Sequence, residues 1–175
     1  MTRGTLFLIV GPSGSGKDTL IDGVRGRLAR SHLFPRRVIT RPRDAGGEDY
    51  ASATMAEFEA CERAGDFALS WRAHGLSYGI PASIAADLAR GTHVVVNVSR
   101  GVVDGARVKF APVKVIEITA PREVLAARLK ARGRESLTDI AERLLRQPEV
   151  KADAVVVNDG TVAAGVAALL GTLQG

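Results

Sequence analysis

The sequence element with the clearest chemical meaning is the glycine-rich run Gly11–Lys17, which reads GPSGSGK. Glycines let the backbone turn so that successive N–H groups point at phosphate oxygens. A lysine at the end of such a run bridges the β- and γ-phosphates of a nucleotide as a mobile point charge. The apolar run Thr5–Val10 precedes the glycines, and a helical pattern follows Lys17. Strand, spacing, lysine and helix together argue against a chance glycine turn and predict a nucleotide-phosphate loop.

Asp18 is unusual, because this place in a phosphate loop commonly carries the serine or threonine that contacts magnesium. Two interpretations stay open. In one, Thr19 or water contacts the metal and Asp18 is a metal or water-shell acceptor. In the other, Asp18 is an anion that stabilises the first turn of a helix. The candidate magnesium ligands are therefore Asp18 and Thr19. The predicted nucleotide contacts in this loop are Gly11, Pro12, Ser13, Gly14, Ser15, Gly16, Lys17, Asp18 and Thr19.

Two features typical of other nucleotide hydrolases are missing from the sequence. The strand-like run VVVNVS ends in Asn97 and Ser99, where motor ATPases and GTPases carry a second acid, and no Asn-Lys-x-Asp motif occurs. Both absences count against a GTPase switch or a mechanical ATPase. They fit a small-molecule kinase, in which phosphoryl transfer depends on positioning and charge neutralisation.

Short apolar runs alternate with helical periodicity along the chain, and this alternation predicts an α/β fold with a mainly parallel sheet flanked by helices. The predicted strands are Thr5–Val10, Arg37–Thr40, Phe67–Trp71, His93–Val98, Lys114–Thr119 and Ala154–Val157. The predicted helices are Lys17–Arg30, Met55–Ala64, Ala82–Ala89, Arg122–Ala131, Asp139–Val150 and Val162–Leu173. Thr54 and Glu57 have the spacing of a capping box at the start of the second helix.

Length and composition indicate how many domains the chain forms and which partners it binds. The 175 residues with 46% hydrophobic content suit one domain with a packed core. The net charge of +5 comes from 19 arginines against 5 lysines, and arginine grips phosphate with two bonds. The arginines are scattered and aromatic residues are scarce, so we expect no nucleic-acid partner. No apolar run has the length of a membrane span, so we expect no membrane partner. We expect a cytoplasmic enzyme. The expected assembly is a monomer or a homodimer.

The polar segments resemble guanylate kinases over nearly the whole chain. Thr40–Arg43 and Gly47–Tyr50 are similar to the acceptor-binding segment of that family, and Arg128–Glu135 with Arg143 resembles its lid. The stretch Val157–Asp159 resembles the segment beside the adenine. The resemblance implies a single P-loop kinase domain over residues 1–175, with a small acceptor-binding flap at about 38–80 and a lid at about 130–145.

The departures from guanylate kinases concern the residues that read guanine. Ser70 stands where that family has a glutamate, and Ile80 stands where it has a serine or threonine. Asn97 or Ser99 replaces its strand aspartate. The phosphate-binding residues remain while the base readers are gone, and a site without those partners loses its selection for a purine. The acceptor is therefore expected to be a phosphorylated compound without guanine.

One family combines these traits: ribose 1,5-bisphosphate phosphokinase, a guanylate-kinase relative of phosphonate metabolism. This chain resembles it in GPSGSGKD, in the Ile-Thr-Arg segment, in the run from Leu69 to Gly79, in Val-Asn-x-Ser-Arg and in Arg-Gly-Arg-Glu. The resemblance implies that ATP, with Mg²⁺, phosphorylates ribose 1,5-bisphosphate to 5-phosphoribosyl 1-diphosphate. Guanylate kinase or another nucleoside monophosphate kinase is the alternative. A non-catalytic guanylate-kinase-like interaction module is a third interpretation, against which Lys17 and the complete glycine loop argue.

The resemblance also implies roles for individual residues. The expected catalytic residues are Lys17, Arg132 and Arg143. The expected nucleotide contacts beyond the glycine loop are Arg128 and Asn158. The expected acceptor-binding residues are Arg41, Arg43, Tyr50, Ser70, Tyr78, Asn97 and Arg100. Arg100 is expected to meet the second phosphate of the bisphosphate, which guanosine monophosphate lacks. Simpler alternatives stay open for several of them: a solvated helix face for the lid arginines, a surface turn for Arg41 and Arg43, and a half-buried aromatic for Tyr78.

Overall fold

The computed structural model describes residues 2–133, 136–145 and 149–175, with the side chains of Leu137, Arg143 and Leu145 excepted. The strands in these ranges are β1 (Leu6–Val10), β2 (His32–Leu33), β3 (Val38–Ile39), β4 (Ala51–Ser52), β5 (Phe67–Ala73), β6 (Leu76–Pro81), β7 (His93–Asn97), β8 (Val113–Thr119) and β9 (Ala154–Val157). The helices are α1 (Lys17–Leu28), α2 (Met55–Ala64), α3 (Ile84–Ala89), α4 (Val103–Lys109), α5 (Arg122–Arg132), α6 (Leu137–Leu145) and α7 (Val162–Gln174).

The main sheet has five parallel strands in the order β2-β7-β1-β8-β9. All five residues of its central strand β1 are buried, because helices cover both faces of a parallel sheet. One face packs against α1 and α7, and the other packs against α3, α4 and part of a second sheet. This architecture confirms the predicted fold class, a mainly parallel sheet flanked by helices.

A second, smaller sheet has the order β4-β3-β6-β5 and was not predicted as a unit. Strands β5 and β6 form an antiparallel hairpin, and β3 joins it along β6. The sequence pattern missed β6 because Leu76–Pro81 contains a glycine and a proline, which are depleted in strands. Gly79 is needed there, since an added Cβ would lie 2.6 Å from Cε1 of Phe67.

The helix ends follow the predicted signals more closely than the short elements do. The capping box is present: the Thr54 hydroxyl accepts from the Glu57 N–H, and the Glu57 carboxylate accepts from the Thr54 N–H. Helix α4 was not predicted, because it is short and contains a glycine at position 105. In the described parts of the chain, no helix combines the length and the apolar character needed to cross a membrane.

Candidate active site

A pocket of about 620 Å³ opens where the carboxyl ends of β1 and β7 meet the small sheet. Its wall brings together the glycine loop, residues that follow β7, side chains of the β5–β6 hairpin and residues of α5 and α6. The residues lining it are Gly11, Pro12, Ser13, Gly14, Gly16, Lys17, Asp18, Thr19, Arg37, Trp71, Ala73, His74, Tyr78, Asn97, Val98, Ser99, Arg100, Arg132, Asp139 and Glu142. Ligands of open parallel sheets bind at this edge.

The glycine loop has the backbone conformation that phosphate binding requires. Gly16, which precedes α1, has a φ of 85°, and an added Cβ would lie 2.5 Å from Nδ2 of Asn158. At Gly11, an added Cβ would lie 2.0 Å from the carbonyl oxygen of Ile118. Glycine is therefore the residue that fits both positions, and the loop leads directly into the N-terminus of α1, an end of a helix that attracts anions.

Arg128 and Asn158, two of the expected nucleotide contacts, hydrogen-bond to carbonyls of the glycine loop and do not line the pocket. The Arg128 guanidinium donates from Nη1 to the Gly14 carbonyl at 3.1 Å and from Nη2 to the Asn158 carbonyl at 2.8 Å. Asn158, which is buried, donates from Nδ2 to the Ser15 carbonyl at 2.8 Å. Ser15 is itself fully buried. These bonds connect α5 and the end of β9 to the loop and hold its carbonyls away from the pocket.

Lys17 lies among like charges in this pocket. Its ammonium donates to the Gly11 carbonyl at 2.7 Å and to the Pro12 carbonyl at 3.2 Å. Burial, together with the charges of Arg100, Arg37 and Arg132, lowers the pKa of Lys17 to about 8, against the raising effect of Asp18. Three arginines from different parts of the chain thus act on one lysine, and the site is built for an anion.

Asp18 and Asn97 face each other across the floor of the pocket. The Asn97 side chain donates from Nδ2 to Oδ1 of Asp18 at 2.9 Å. Thr19 lines the same wall. Among the described residues, no group of three or more histidine, cysteine or acidic side chains could hold a metal by itself. The oxygens of Asp18 and Thr19 are the hard donors that Mg²⁺ prefers, so the residues fit an ion that is bound mainly through nucleotide phosphates.

Arg37 lines the pocket and was absent from the predicted site. Its Nε donates to Oε2 of Glu48 at 2.9 Å, and its Nη2 donates to Oε1 of the same carboxylate. Its Nη1 donates to the Asn97 carbonyl at 3.3 Å. The guanidinium carbon lies 5.0 Å from the ring centre of Tyr78, which in turn stacks on Trp71 at 5.3 Å and 5°. Contacts on several sides therefore hold the guanidinium.

Arg100, which follows β7, is held in a similar way from the main sheet. Its Nη2 donates to Oε1 of Glu117 on β8 at 2.8 Å. The side chains are 12% and 23% exposed, so the pair is largely withdrawn from water. The pocket thus contains two arginines, Arg37 and Arg100, each braced by a carboxylate.

The other expected acceptor-binding residues lie outside the pocket wall. Arg41 covers the ring of Tyr50 at 5.3 Å, and the Tyr50 hydroxyl donates to the Pro42 carbonyl. Arg43 is exposed. The Ser70 hydroxyl donates to Oε2 of Glu62 at 2.8 Å. Of the expected acceptor set, the wall includes Tyr78, Asn97 and Arg100.

The predicted lid contributes to the wall through α5 and α6. Arg132 lines the pocket from the end of α5, whereas the side chain of Arg143 lies outside the described residues. Asp139 and Glu142 of α6 also line it and were not predicted. Their spacing of three puts them on one helix face, which is a usable signal. For Arg37, the available signal is its place at the start of a predicted strand beside the expected acceptor segment.

Comparison with known proteins agrees with this geometry. A protein-family profile described as an AAA domain matches residues 6–154. Ribose 1,5-bisphosphate phosphokinase PhnN of Acidiphilium cryptum is 53% identical over 173 residues, which cover 97% of this chain and 92% of that protein. The protein of the same name from Methylobacterium radiotolerans is 47% identical, with 98% of each chain covered.

A longer relative matches as well. The bifunctional ribose 1,5-bisphosphokinase-thymidine phosphorylase of Roseobacter denitrificans is 50% identical over 178 residues, which cover 98% of this chain and 26% of that protein. The chain therefore spans about a quarter of the length of this bifunctional relative.

Among solved structures, the guanylate kinase of Anaplasma phagocytophilum superposes with a TM-score of 0.74 at 18% identity, covering 99% of this chain and 86% of that chain. A sugar kinase from Janibacter sp. superposes with a TM-score of 0.56 at 17% identity, covering 99% and 95%. At these identities the superpositions show a shared P-loop kinase fold and nothing finer.

Proposed function

The chain belongs to the family of ribose 1,5-bisphosphate phosphokinases, and from this premise we propose that it transfers the γ-phosphoryl group of ATP to ribose 1,5-bisphosphate, giving ADP and 5-phosphoribosyl 1-diphosphate. We place the reaction in the cytoplasm, with a small phosphorylated sugar as the acceptor and no nucleic-acid or membrane partner. The enzyme acts as a monomer or a homodimer.

The observation that carries the proposal is the chemistry of the pocket wall. Lys17, Arg37, Arg100 and Arg132 supply four cations to one cavity beside the phosphate loop. Ser70, at the position where guanylate kinases read guanine, lies outside the wall and donates its hydroxyl to Glu62. Such a pocket suits an acceptor with two phosphates and no base.

The proposed reaction needs charge neutralisation more than proton transfer. An oxygen of the C1 phosphate is already anionic near pH 7 and attacks the γ-phosphorus of ATP without a general base. The bond from the γ-phosphorus to the bridging oxygen breaks, and ADP leaves with that oxygen. The main obstacle is repulsion between two polyanions, which Lys17, Arg100 and Arg132 reduce by binding the oxygens on which charge develops.

The proposed donor is ATP with Mg²⁺. The glycine loop and Lys17 bind the phosphates, while Arg128 and Asn158 keep the loop in shape. Asp18 and Thr19 are the proposed protein contacts of the ion, which supplies further neutralisation of the phosphates when it is bound. Arg132 and Arg143 are proposed to close over the site with the lid, which excludes water that would otherwise hydrolyse ATP.

Steady-state kinetics with a panel of acceptors tests the proposal. With ATP and Mg²⁺, we expect ribose 1,5-bisphosphate to be used with a kcat/KM at least 100-fold above that of guanosine monophosphate, since the pocket has lost its base readers. Comparable turnover of guanosine monophosphate would make the protein a guanylate kinase. The absence of any ATP binding would favour the non-catalytic interaction module.

A further inference from the structure

We propose that Arg37, braced by Glu48, binds the 5-phosphate of the acceptor, the phosphate that does not react. The inference rests on the proposed function, because it assigns one end of the bisphosphate substrate to one residue. It makes Arg37 a specificity-determining residue and Glu48 its positioning residue. Neither is in the set of site residues predicted from the sequence, although Glu48 lies within the Gly47–Tyr50 part of the expected acceptor-binding segment.

Arg37 is held in one orientation by its neighbours. Its side chain is 12% exposed and that of Glu48 is 18% exposed, so the pair is mostly withdrawn from water. The carboxylate takes the Nε and Nη2 edge of the guanidinium, and the Asn97 carbonyl takes one N–H of Nη1. A guanidinium carries five N–H donors. Two donors are therefore left for a ligand, on a side chain that lines the pocket.

The geometry of the Arg37 guanidinium suits a phosphate. A planar fork whose orientation is already fixed binds phosphate with two parallel hydrogen bonds and loses little side-chain entropy in doing so. The Tyr78 ring, 5.0 Å from the guanidinium carbon, supports one face of the fork. Tyr78 lies on β6, between Trp71 on the neighbouring strand β5 and Arg37, which precedes β3 on the other side.

The positions of Arg100 and Arg37 relative to the glycine loop distinguish the two ends of the substrate. The reacting phosphate must lie beside Lys17 and the glycine loop, on the main sheet. Arg100 follows β7, the direct neighbour of β1, and its charge acts on Lys17 more strongly than that of Arg37 does. Arg37 immediately precedes β3 of the small sheet, and its contact with the main sheet is the Asn97 carbonyl at the end of β7 and not the glycine loop. Arg100 is thus placed for the C1 end and not for the second phosphate, and Arg37 is placed for the 5-phosphate.

The test compares Arg37→Gln with Arg36→Gln. Arg36 is the adjacent arginine; its Nε lies 3.0 Å from Oδ1 of Asp49, and its Nη2 donates to the Tyr50 main-chain carbonyl at 3.0 Å. Its side chain is 59% exposed and it is not part of the pocket wall, so Arg36→Gln controls for the loss of a neighbouring arginine and its loop contacts. We expect Arg37→Gln to raise the KM for ribose 1,5-bisphosphate about 100-fold, while the KM for ATP and kcat change less than about threefold. Arg36→Gln should leave all three constants unchanged. Unchanged acceptor KM in Arg37→Gln, or an equal rise for ATP, would overturn the inference.

Truncated ligands then locate the contact on the substrate. Ribose 5-phosphate and ribose 1-phosphate are used as competitive inhibitors against ribose 1,5-bisphosphate. We expect Arg37→Gln to raise the inhibition constant of ribose 5-phosphate by about the same factor as the acceptor KM, and that of ribose 1-phosphate by less than about threefold. The reverse pattern would assign Arg37 to the C1 phosphate and contradict the proposal.

Further variants separate binding from folding. Removing one partner of a largely buried ion pair leaves a charge unpaired, whereas Arg37→Gln with Glu48→Gln removes both charges. The double variant should fold, as judged by circular dichroism, and should keep the high acceptor KM. Glu48→Gln alone should raise the acceptor KM about tenfold at constant kcat, because Arg37 keeps its charge and loses its orientation. A folded double variant with wild-type acceptor KM would overturn the inference.

Failure of the proposed function would look different. If the wild-type protein does not phosphorylate ribose 1,5-bisphosphate, the proposed function is wrong whatever Arg37 does. If the wild type turns it over and Arg37→Gln does so equally well at low acceptor concentration, only the assignment of Arg37 is wrong.

Discussion

At the scale of single residues, Lys17 and the arginines around it repel one another, and an anionic ligand relieves that repulsion. This repulsion affects the protonation of Lys17: burial and the nearby charges of Arg100, Arg37 and Arg132 lower its pKa to about 8. A phosphate that binds among these groups supplies the opposite charge and raises the pKa again. Nucleotide binding and protonation of Lys17 are therefore coupled.

This coupling predicts a pH dependence. In the free enzyme, Lys17 is protonated below pH 8 and increasingly neutral above it, so kcat/KM for ATP should fall by roughly fivefold from pH 8 to pH 9. At saturating ATP, kcat should fall less, because bound phosphates keep the amine charged. Steady-state rates between pH 7 and pH 10 measure both. A kcat/KM that stays level up to pH 10 would show that Lys17 titrates normally.

Asp18 is the residue at which the sequence left two roles open, and the structure adds its hydrogen bond from Asn97. If Asp18 contributes to magnesium binding, Asp18→Asn should raise the Mg²⁺ concentration for half-maximal activity at least about tenfold, with a thermal midpoint close to that of wild type. A magnesium titration and a thermal melt measure the two quantities. A lower melting temperature with an unchanged magnesium requirement would contradict the metal role. Asp18 would then act as the anion that stabilises the first turn of α1.

Arg37 lines the pocket, but the sequence alone does not identify it as a site residue. The spacing of the glycine loop alone predicts nucleotide contacts, and the structure places all of these predicted residues except the buried Ser15 in the pocket wall. Arg36 and Arg37 are adjacent and identical in type, and no pattern says which of them faces the pocket. The choice depends on a two-residue strand, β3, and on Glu48, a partner eleven positions away along the chain.

At the scale of elements, β2 and α7 are connected at the far end of the sheet through His32. Its Nε2 donates to the Leu173 carbonyl at 3.2 Å, its Nδ1 accepts from the Ser31 hydroxyl at 2.7 Å, and its ring lies 4.8 Å from that of His93. Burial lowers the pKa of His32 below its ordinary value of 6.5, with a further lowering from His93. The neutral ring is therefore the form that the fold favours.

We expect this histidine to make stability depend on pH. Because its pKa is lower in the folded than in the unfolded state, the unfolded state binds more protons, and the free energy of unfolding should fall as pH drops below about 6.5. His32→Gln should weaken this dependence, whereas His74→Asn, in an exposed turn, should preserve it. Urea unfolding at pH 7.5 and pH 5.5 measures the effect. Equal slopes for wild type and His32→Gln would exclude His32 as the cause.

The capping box at the start of α2 gives an element-scale prediction that is independent of the site. Thr54→Ala removes the hydroxyl that accepts from the Glu57 N–H, and it should lower the free energy of unfolding by about 1 kcal/mol. Thr54→Ser keeps the hydroxyl and should cost less. Chemical denaturation measures both, and kinetic constants should not change, since α2 is absent from the pocket wall. Equal stability of the two variants would argue against the cap.

The elements that the sequence predicted well are those with a strong local signal. Ala154–Val157 and Met55–Ala64 have the predicted bounds, the first from its run of β-branched residues and the second from its cap and its terminal Gly65. Strand β3 lies inside the predicted strand Arg37–Thr40, whereas β2 and β4, with two residues each, are too short for any period to appear and have no predicted counterpart. The pairing of these three strands depends on distant partners such as β7 and β6, and those partners are tertiary contacts.

At the scale of the whole molecule, the two sheets supply different residues to the proposed active site. The parallel main sheet presents the phosphate loop, Asn97 and Arg100 at one edge, while Trp71 and Tyr78 of the small sheet, with Arg37 just before β3, line the same pocket. The sequence predicted the first part because parallel strands deliver their carboxyl ends together. Of the second part, the resemblance to guanylate kinases led to Tyr78 but not to Arg37 or Trp71, because their position depends on how the small sheet packs on the core.

Phosphorus NMR of a competition reaction tests the central claim most directly. The enzyme, ATP and Mg²⁺ are mixed with equal concentrations of ribose 1,5-bisphosphate and guanosine monophosphate, and the products are followed over time. We expect the diphosphate resonances of 5-phosphoribosyl 1-diphosphate to grow with those of ADP while guanosine monophosphate stays unchanged. Formation of guanosine diphosphate with ribose 1,5-bisphosphate left intact would contradict the account.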